Sequence, residues 1–187
     1  MLITGIVIAV VVVGLVALGV IAFNKLRTKD IEAEEAIGGI DVQLTRRADL
    51  IPNLVETVKG YAAHEKGVFE EVTRARAHVQ DAAAGDDVPA KARADAELSD
   101  ALVRVNAVAE QYPELEASTS FLDLQRQLSE TEDQISFARQ YYNDAVATLN
   151  KLTRTIPWMF FTGLAGVRKR EFYEAPRGQE TAPQVQF

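Results

Sequence analysis

The sequence predicts an all-α protein: an N-terminal transmembrane helix continuing into an antiparallel, up-and-down helical bundle. The bundle is read as three long helices plus a short C-terminal helix, four-helix-bundle-like. Three observations predict this. The run from Leu2 to Phe23 carries no charge. From Ile37 onward apolar residues recur every seven positions, the signature of a helix with one narrow apolar face. No stretch alternates with period two over a useful length, which argues against strands.

The first element is the apolar run, LITGIVIAVVVVGLVALGVIAF. At about 1.5 Å per residue it covers roughly 30 Å as a helix, the thickness of a bilayer's hydrocarbon core. A cleaved signal peptide is the competing reading, with Ala17-Leu18-Gly19 resembling a cleavage site. A signal peptide needs a basic start and a shorter apolar run, and neither is present. Lys25, Arg27 and Lys29 follow the run directly. Positive residues stay on the cytoplasmic side. The expected topology is therefore a single pass through the cell (inner) membrane, a short N-terminus outside and the bundle in the cytoplasm.

The second element is read as one long helix, residues 24–83. One seam row is Ile37, Leu44, Ile51, Val58, Glu65, Val72 and Val79. The other is Ile40, Arg47, Leu54, Tyr61, Val68 and Ala75. The phase does not slip across Pro52, so the helix is expected to bend there rather than reverse. In the alternative, Asp49 caps a new helix with Pro52 in its first turn. Gly85 then follows the helix end, and Asp86 or Asp87 caps the next helix, with Pro89 in its opening turn. That helix places Leu98, Ala101, Val105 and Val108 on one face. The segment QYPELEASTS interrupts the pattern. A third helix starts near Ser120, with Phe121, Leu128, Ile135, Tyr142, Leu149 and Ile156 in one row, and Pro157 is expected to end it.

The anchor is thus assigned to residues 1–23, the bundle to 24–155, an apolar and basic segment to 156–175, and a disordered tail to 176–187. In the third part Trp158, Phe160 and Phe161 precede Arg168, Lys169 and Arg170. Aromatics followed by cations suit an anionic membrane surface. A short fourth helix closing the bundle is the other reading of this segment.

Composition narrows the function classes. The net charge is −7, which disfavours nucleic acid as a partner. The chain has no cysteine and two histidines, His64 and His78. Disulfides, thiolate nucleophiles and thiolate zinc sites are excluded. His64-Glu65 lacks the second histidine of a zinc-protease helix. No glycine-rich phosphate loop occurs, and no histidine is placed to activate Ser118, Thr119 or Ser120. No catalytic residue, cofactor or metal ligand is assigned.

The residues singled out are instead those that break the seams. Arg47 and Glu65 occupy positions where the pattern calls for apolar groups, and a charge in a bundle core is costly unless paired. Glu130, Glu132 and Asp133 are candidate partners for Arg47; snorkelling to water is the alternative for both seam charges. Asn143 and Asn150, one heptad apart, either set register between helices or face solvent.

Three stretches carry a resemblance: Ile40 to Glu65, Tyr112 to Asn150 and the closing IPWMFFTGLAG. Together they resemble the LemA family of bacterial membrane proteins over nearly the whole chain. The resemblance implies a single-pass membrane protein with a cytoplasmic bundle, usually of four helices. The fourth helix would come from a break near Asp49 or from a helix after Pro157. It brings no catalytic residues. This chain departs from the family pattern at AEEAIGGI, residues 33–40, where the family usually shows an aromatic and an apolar residue. The expected function is a membrane-anchored scaffold or interaction module, self-associating as a homo-oligomer in the lipid bilayer or binding another membrane or cytoplasmic protein. The alternative is a regulatory or signalling subunit coupling a membrane event to the bundle.

Overall fold

A computed structural model describes residues 2–174; the tail expected over 176–187 lies outside the described residues. Six α-helices form in the order α1 (Leu2–Lys59), α2 (Lys66–Ala84), α3 (Val88–Ala109), α4 (Pro113–Glu116), α5 (Thr119–Leu152) and α6 (Thr162–Ala165), with a 3-10 turn at Trp158–Phe161. No strand occurs among the described residues. They divide into two compact units. One combines residues 2–37 with 141–171, and the other combines 38–140 with 172–174.

Helix α1 is 58 residues long and passes through Pro52 without a break, so Asp49 does not cap a new helix. The cost of a proline inside a helix is a missing N–H and an orphaned carbonyl four residues back. Here that carbonyl belongs to Ala48, and Arg76 Nε of α2 donates to it at 3.0 Å. The orphan acceptor is satisfied from the neighbouring helix.

The expected helix over 24–83 is corrected at its other end. The chain turns between Gly60 and Glu65, and α1 and α2 become separate helices. Gly60 lies just past Lys59, whose charge suits the negative end of the helix dipole. Tyr61, a seam position in the sequence pattern, falls in this turn and is exposed. The seam nonetheless resumes in α2 through Val72, Ala75 and Val79, all buried. The fourth long helix thus comes from a break after Lys59 and not near Asp49; the short helix expected after Pro157 forms as α6, in the first unit.

The second unit is the bundle. Arg76 of α2 reaches Ala48 of α1, Glu71 of α2 meets Arg104 of α3, and Asn106 of α3 accepts from Gln125 of α5. Each pair sits about equally far on either side of the turn that joins its helices, so neighbours run antiparallel. The α2–α3 turn is built as the sequence requires, with the Asp87 side chain accepting from the Ala90 N–H and Pro89 in the first turn. Leu44, Ile51, Leu54 and Val58 of α1 are buried with Val72 and Val79 of α2, Leu98 of α3 and Ile135 of α5. Each such side chain contributes about 1.5–3 kcal/mol by leaving water.

The first unit joins the N-terminal part of α1 to residues 141–171. Small residues on α1, Ala22, Ala33 and Ala36, are buried with Tyr142, Val146 and Leu149 of α5. Helix α5 ends at Leu152, five residues before Pro157, and Ile156 is 72% exposed rather than in the seam. After α6 the chain reverses at Gly166, whose φ of 64° is the left-handed conformation glycine adopts freely. An extended segment follows. Asn150 grips it from both sides, donating to the Arg170 carbonyl at 2.9 Å and accepting from the Arg170 N–H at 3.0 Å. Tyr142 donates to the Glu171 carbonyl at 2.8 Å, and Arg170 Nε pairs with Asp30 at 2.8 Å.

Candidate functional site

The bundle contains a buried charged cluster. Arg47 enters it from α1 because its heptad position points inward. Its Nη1 lies 3.0 Å from Asp95 Oδ1 and 3.1 Å from Ser99 Oγ, both on α3, and 2.7 Å from Glu132 Oε2 on α5. Of the three expected partners, Glu132 is the one in contact. Glu130 pairs with Arg126 one turn away, and Asp133 is exposed. Arg139 approaches from farther along α5, 3.0 Å from Asp95 Oδ2 and 3.1 Å from Glu132 Oε1. Tyr173 closes the group by donating its hydroxyl to Asp95 Oδ2 at 3.1 Å.

A second charged pair lies on the same two helices. Lys91 is buried and its ammonium pairs with Asp41; Lys91 also donates to the Ala83 carbonyl at 3.3 Å. Asp41 and Arg47 of α1 therefore match Lys91 and Asp95 of α3, opposite charge to opposite charge. Because α1 and α3 run parallel in this topology, the two pairs fix their register as well as their contact.

Burial pushes the Asp95 carboxyl above its ordinary range, against the pull of Arg139 and Arg47 in the other direction. Burial likewise raises Asp41, opposed by its bond to Lys91. The Tyr173 phenol is raised well above its ordinary value by burial and by the Asp95 charge beside it, so it remains a protonated donor.

Beside the cluster lies a cleft of about 400 Å³ reached by Asn106, Gln125 and Leu128. Two charges of each sign balance there, and the titratable groups are engaged with one another. Ser99 donates to the Asp95 backbone carbonyl and has no histidine partner, so it is not an activated nucleophile. No group of histidine and carboxylate side chains that could hold a metal occurs among the described residues. The chemistry on display is ion pairing between helices.

The other sequence candidates lie elsewhere. Glu65 is half-buried in the α1–α2 turn and makes no side-chain cap; it is not a core charge. Asn143 is half-buried on α5. Asn150 sets no register between helices and does not face solvent: its partner is the backbone of Arg170. Asp49 and Pro52 are exposed on α1. Trp158 lies under the Lys25 ammonium, 4.7 Å from ring centre to Nζ. Phe160, Arg168 and Lys169 are exposed, Phe161 is half-buried, and Arg170 is occupied by Asp30 and Glu34. Sequence reasoning missed Asp95, Ser99, Arg139 and Tyr173. It also missed Asp41 and Lys91; the opposite order of charge, Asp41 then Arg47 on α1 and Lys91 then Asp95 on α3, becomes a signal only once the two helices are known to run side by side.

The LemA family model matches residues 36–187. This chain belongs to the LemA family. Its relatives include the magnetosome proteins MamQ 2 and MamQ 1 of Paramagnetospirillum magneticum, each 26% identical over 180 residues. The magnetosome protein MamQ of Magnetospirillum gryphiswaldense is 25% identical over 180 residues. In each case the match covers 83% of this chain and 66% of the relative, so the chain spans a little under two thirds of the length of these relatives. Within the LemA match lie the charged cluster, Asn150 and the aromatic segment; the whole apolar part of α1, Leu2 to Phe23, precedes it. That part is long and apolar enough to cross a membrane, which fits a membrane anchor.

Proposed function

We propose that this LemA-family chain is a membrane-anchored scaffold, without catalytic activity, that binds other proteins or further copies of itself through its helical surface. The carrying observation is how the bundle distributes its groups. Its buried charges are matched by one another inside the unit, whereas Val103 of α3 and Phe137 of α5 are 66% and 70% exposed. Reactive groups are thus consumed in holding the helices together, and large apolar groups are left for contact. Phenylalanine is among the side chains enriched at protein interfaces.

The apolar part of α1 supports the anchor. Nearly all its large side chains from Leu2 to Phe23 face outward, as lipid requires. Gly5 and Ala9 lie one turn apart, and the space where a Gly5 β-carbon would point is open, so a second span could approach there closely. Lys25, Arg27 and Lys29 favour a cytoplasmic bundle.

The test is an in-cell crosslink of the full-length protein, gently solubilised and read by mass spectrometry. The expected result is a defined multiple of this chain, or one co-purifying protein, reduced by Phe137→Glu. Recovery of uncrosslinked monomer alone would overturn the reading.

A further inference from the structure

The most apolar surface of the first unit outside α1 is the turn between α5 and the extended segment. From Thr155 to Val167 it carries no charge. Ile156, Phe160 and Leu164 are 72%, 70% and 73% exposed. A soluble domain has no reason to present three such side chains in nine residues.

Trp158 of this turn meets Lys25, just past the charge-free run; the rest of its contacts with α1 lie within that run. Phe161 Cε1 lies 3.4 Å from where a β-carbon on Gly19 would stand. Leu164 shares an apolar groove with Val16, Gly19, Val20 and Phe23. All four α1 residues belong to the charge-free run. Gly19 is four residues inside its end, about 6 Å at the helical rise, and Val16 about 10 Å. Side chains that touch α1 at those levels occupy the same depth as the residues they touch.

We propose that the segment Ile156–Val167 is embedded in the cytoplasmic leaflet beside α1, with Phe160 and Leu164 among the upper acyl chains. The occupant of its exposed face is lipid. Three features support lipid rather than protein. The groove is continuous with outward-facing residues of the span itself. Cations border the segment on both sides, Arg154 before it and Arg168 and Lys169 after it, where anionic headgroups would lie. Part of the backbone is satisfied by short-range bonds, Met159 N–H to Thr155, Phe160 N–H to Pro157 and Val167 N–H to Thr162, which lowers the cost of bringing it near the acyl chains. Trp158, under Lys25, stands at the level where indole rings collect in membranes. With α1, the segment gives the protein two insertions in one leaflet, which would set the rotation of α1 about its own axis.

The inference rests on α1 being the anchor, and the experiment separates the two claims. The full-length protein is reconstituted in vesicles of phosphatidylcholine and phosphatidylglycerol. The chain has one tryptophan and no cysteine, so Trp158 reports directly, and Val11→Cys and Leu164→Cys each accept a single fluorescent label. Expected are blue-shifted Trp158 emission quenched by lipids brominated high on the chain, and loss of most Leu164-label emission to chain-borne nitroxides with little to aqueous iodide. Phe160→Glu with Leu164→Glu should reverse the tryptophan result while leaving the helical signal intact. If the Val11 label is quenched from the lipid but the Leu164 label only by iodide, or by neither quencher, the embedded segment is wrong and the anchor stands. If the Val11 label is not quenched from the lipid, both fail.

Discussion

Arg76 Nε donates at 3.0 Å to the carbonyl of Ala48, the acceptor that Pro52 deprives of its helical partner. The guanidinium of one helix thus repairs a defect in the next. If this is its role, the effects of the two residues are coupled. Arg76→Met should cost about 1.5–3 kcal/mol in the native background, as expected for loss of a charged donor to a part-buried carbonyl. With Pro52→Ala, which restores the N–H, the same change should cost at least about 1 kcal/mol less. Urea denaturation of the four proteins measures the cycle. Equal costs in both backgrounds would leave Arg76 as mere packing.

Arg47 sits among Asp95, Ser99 and Glu132, and its loss leaves two carboxylates to Arg139 alone. Arg47→Met is expected to destabilise the bundle by about 3–5 kcal/mol, the usual cost of unpairing a buried charge. Adding Asp95→Leu should return part of that loss, because the uncompensated charge goes with it. A double variant as unstable as the sum of the single ones would show that the two residues do not act as a pair.

Tyr173 has its phenol raised by burial and by Asp95. A group whose folded value is raised stabilises in its protonated form, fully below its unfolded value of about 10, and that stability falls as pH climbs beyond it. At pH 8, Tyr173→Phe should be less stable by about 1 kcal/mol, having lost one hydrogen bond. Above pH 10 the gap should close. Thermal melts of both proteins across this range read the effect, and a constant gap would contradict it.

Asn150 holds both polar groups of the Arg170 peptide. Asn150→Leu leaves that N–H and C=O without the side chain that satisfies them, at an expected cost of about 1–3 kcal/mol. Hydrogen exchange at the Arg170 amide should accelerate far more than exchange within α2 or α3. Unchanged protection at Arg170 would mean the extended segment is held without Asn150.

How much was legible follows from what each residue's neighbours could encode. Arg47 was visible because a seam of period seven leaves a charge nowhere to hide. Asp95 was not. It lies four residues after Lys91 on α3, and a Lys-Asp pair at that spacing ordinarily reads as a solvated helix face. Only the parallel placement of α1 and α3 turns both side chains inward. The break after Lys59 was hidden because Val58 and Val72 keep heptad phase across a turn, so periodicity alone cannot separate one helix from two. Asn150 was legible as a seam-flanking polar residue, but its partner is a backbone far along the chain, which no spacing rule reaches. The aromatic segment was visible from composition; its seat against Gly19 was not, because nothing local encodes a contact across the whole chain.

That last contact has a consequence in time. Asp30 and Arg170 are 140 residues apart, and the first unit closes only when both are present. Each turn of the bundle joins neighbours in the chain and can form as they emerge from the ribosome. The base of α1 must wait for the 140 residues between Asp30 and Arg170, at a loop-closure cost that grows with the logarithm of that separation, and contacts of such long range are late and slow. The apolar helix is made before the bundle and is the last to find its protein partners. Until Arg170 is synthesised, Asp30 lacks that cation, and a product truncated before that residue would keep the bundle helices while its first unit never matured and its charged cluster lacked Tyr173.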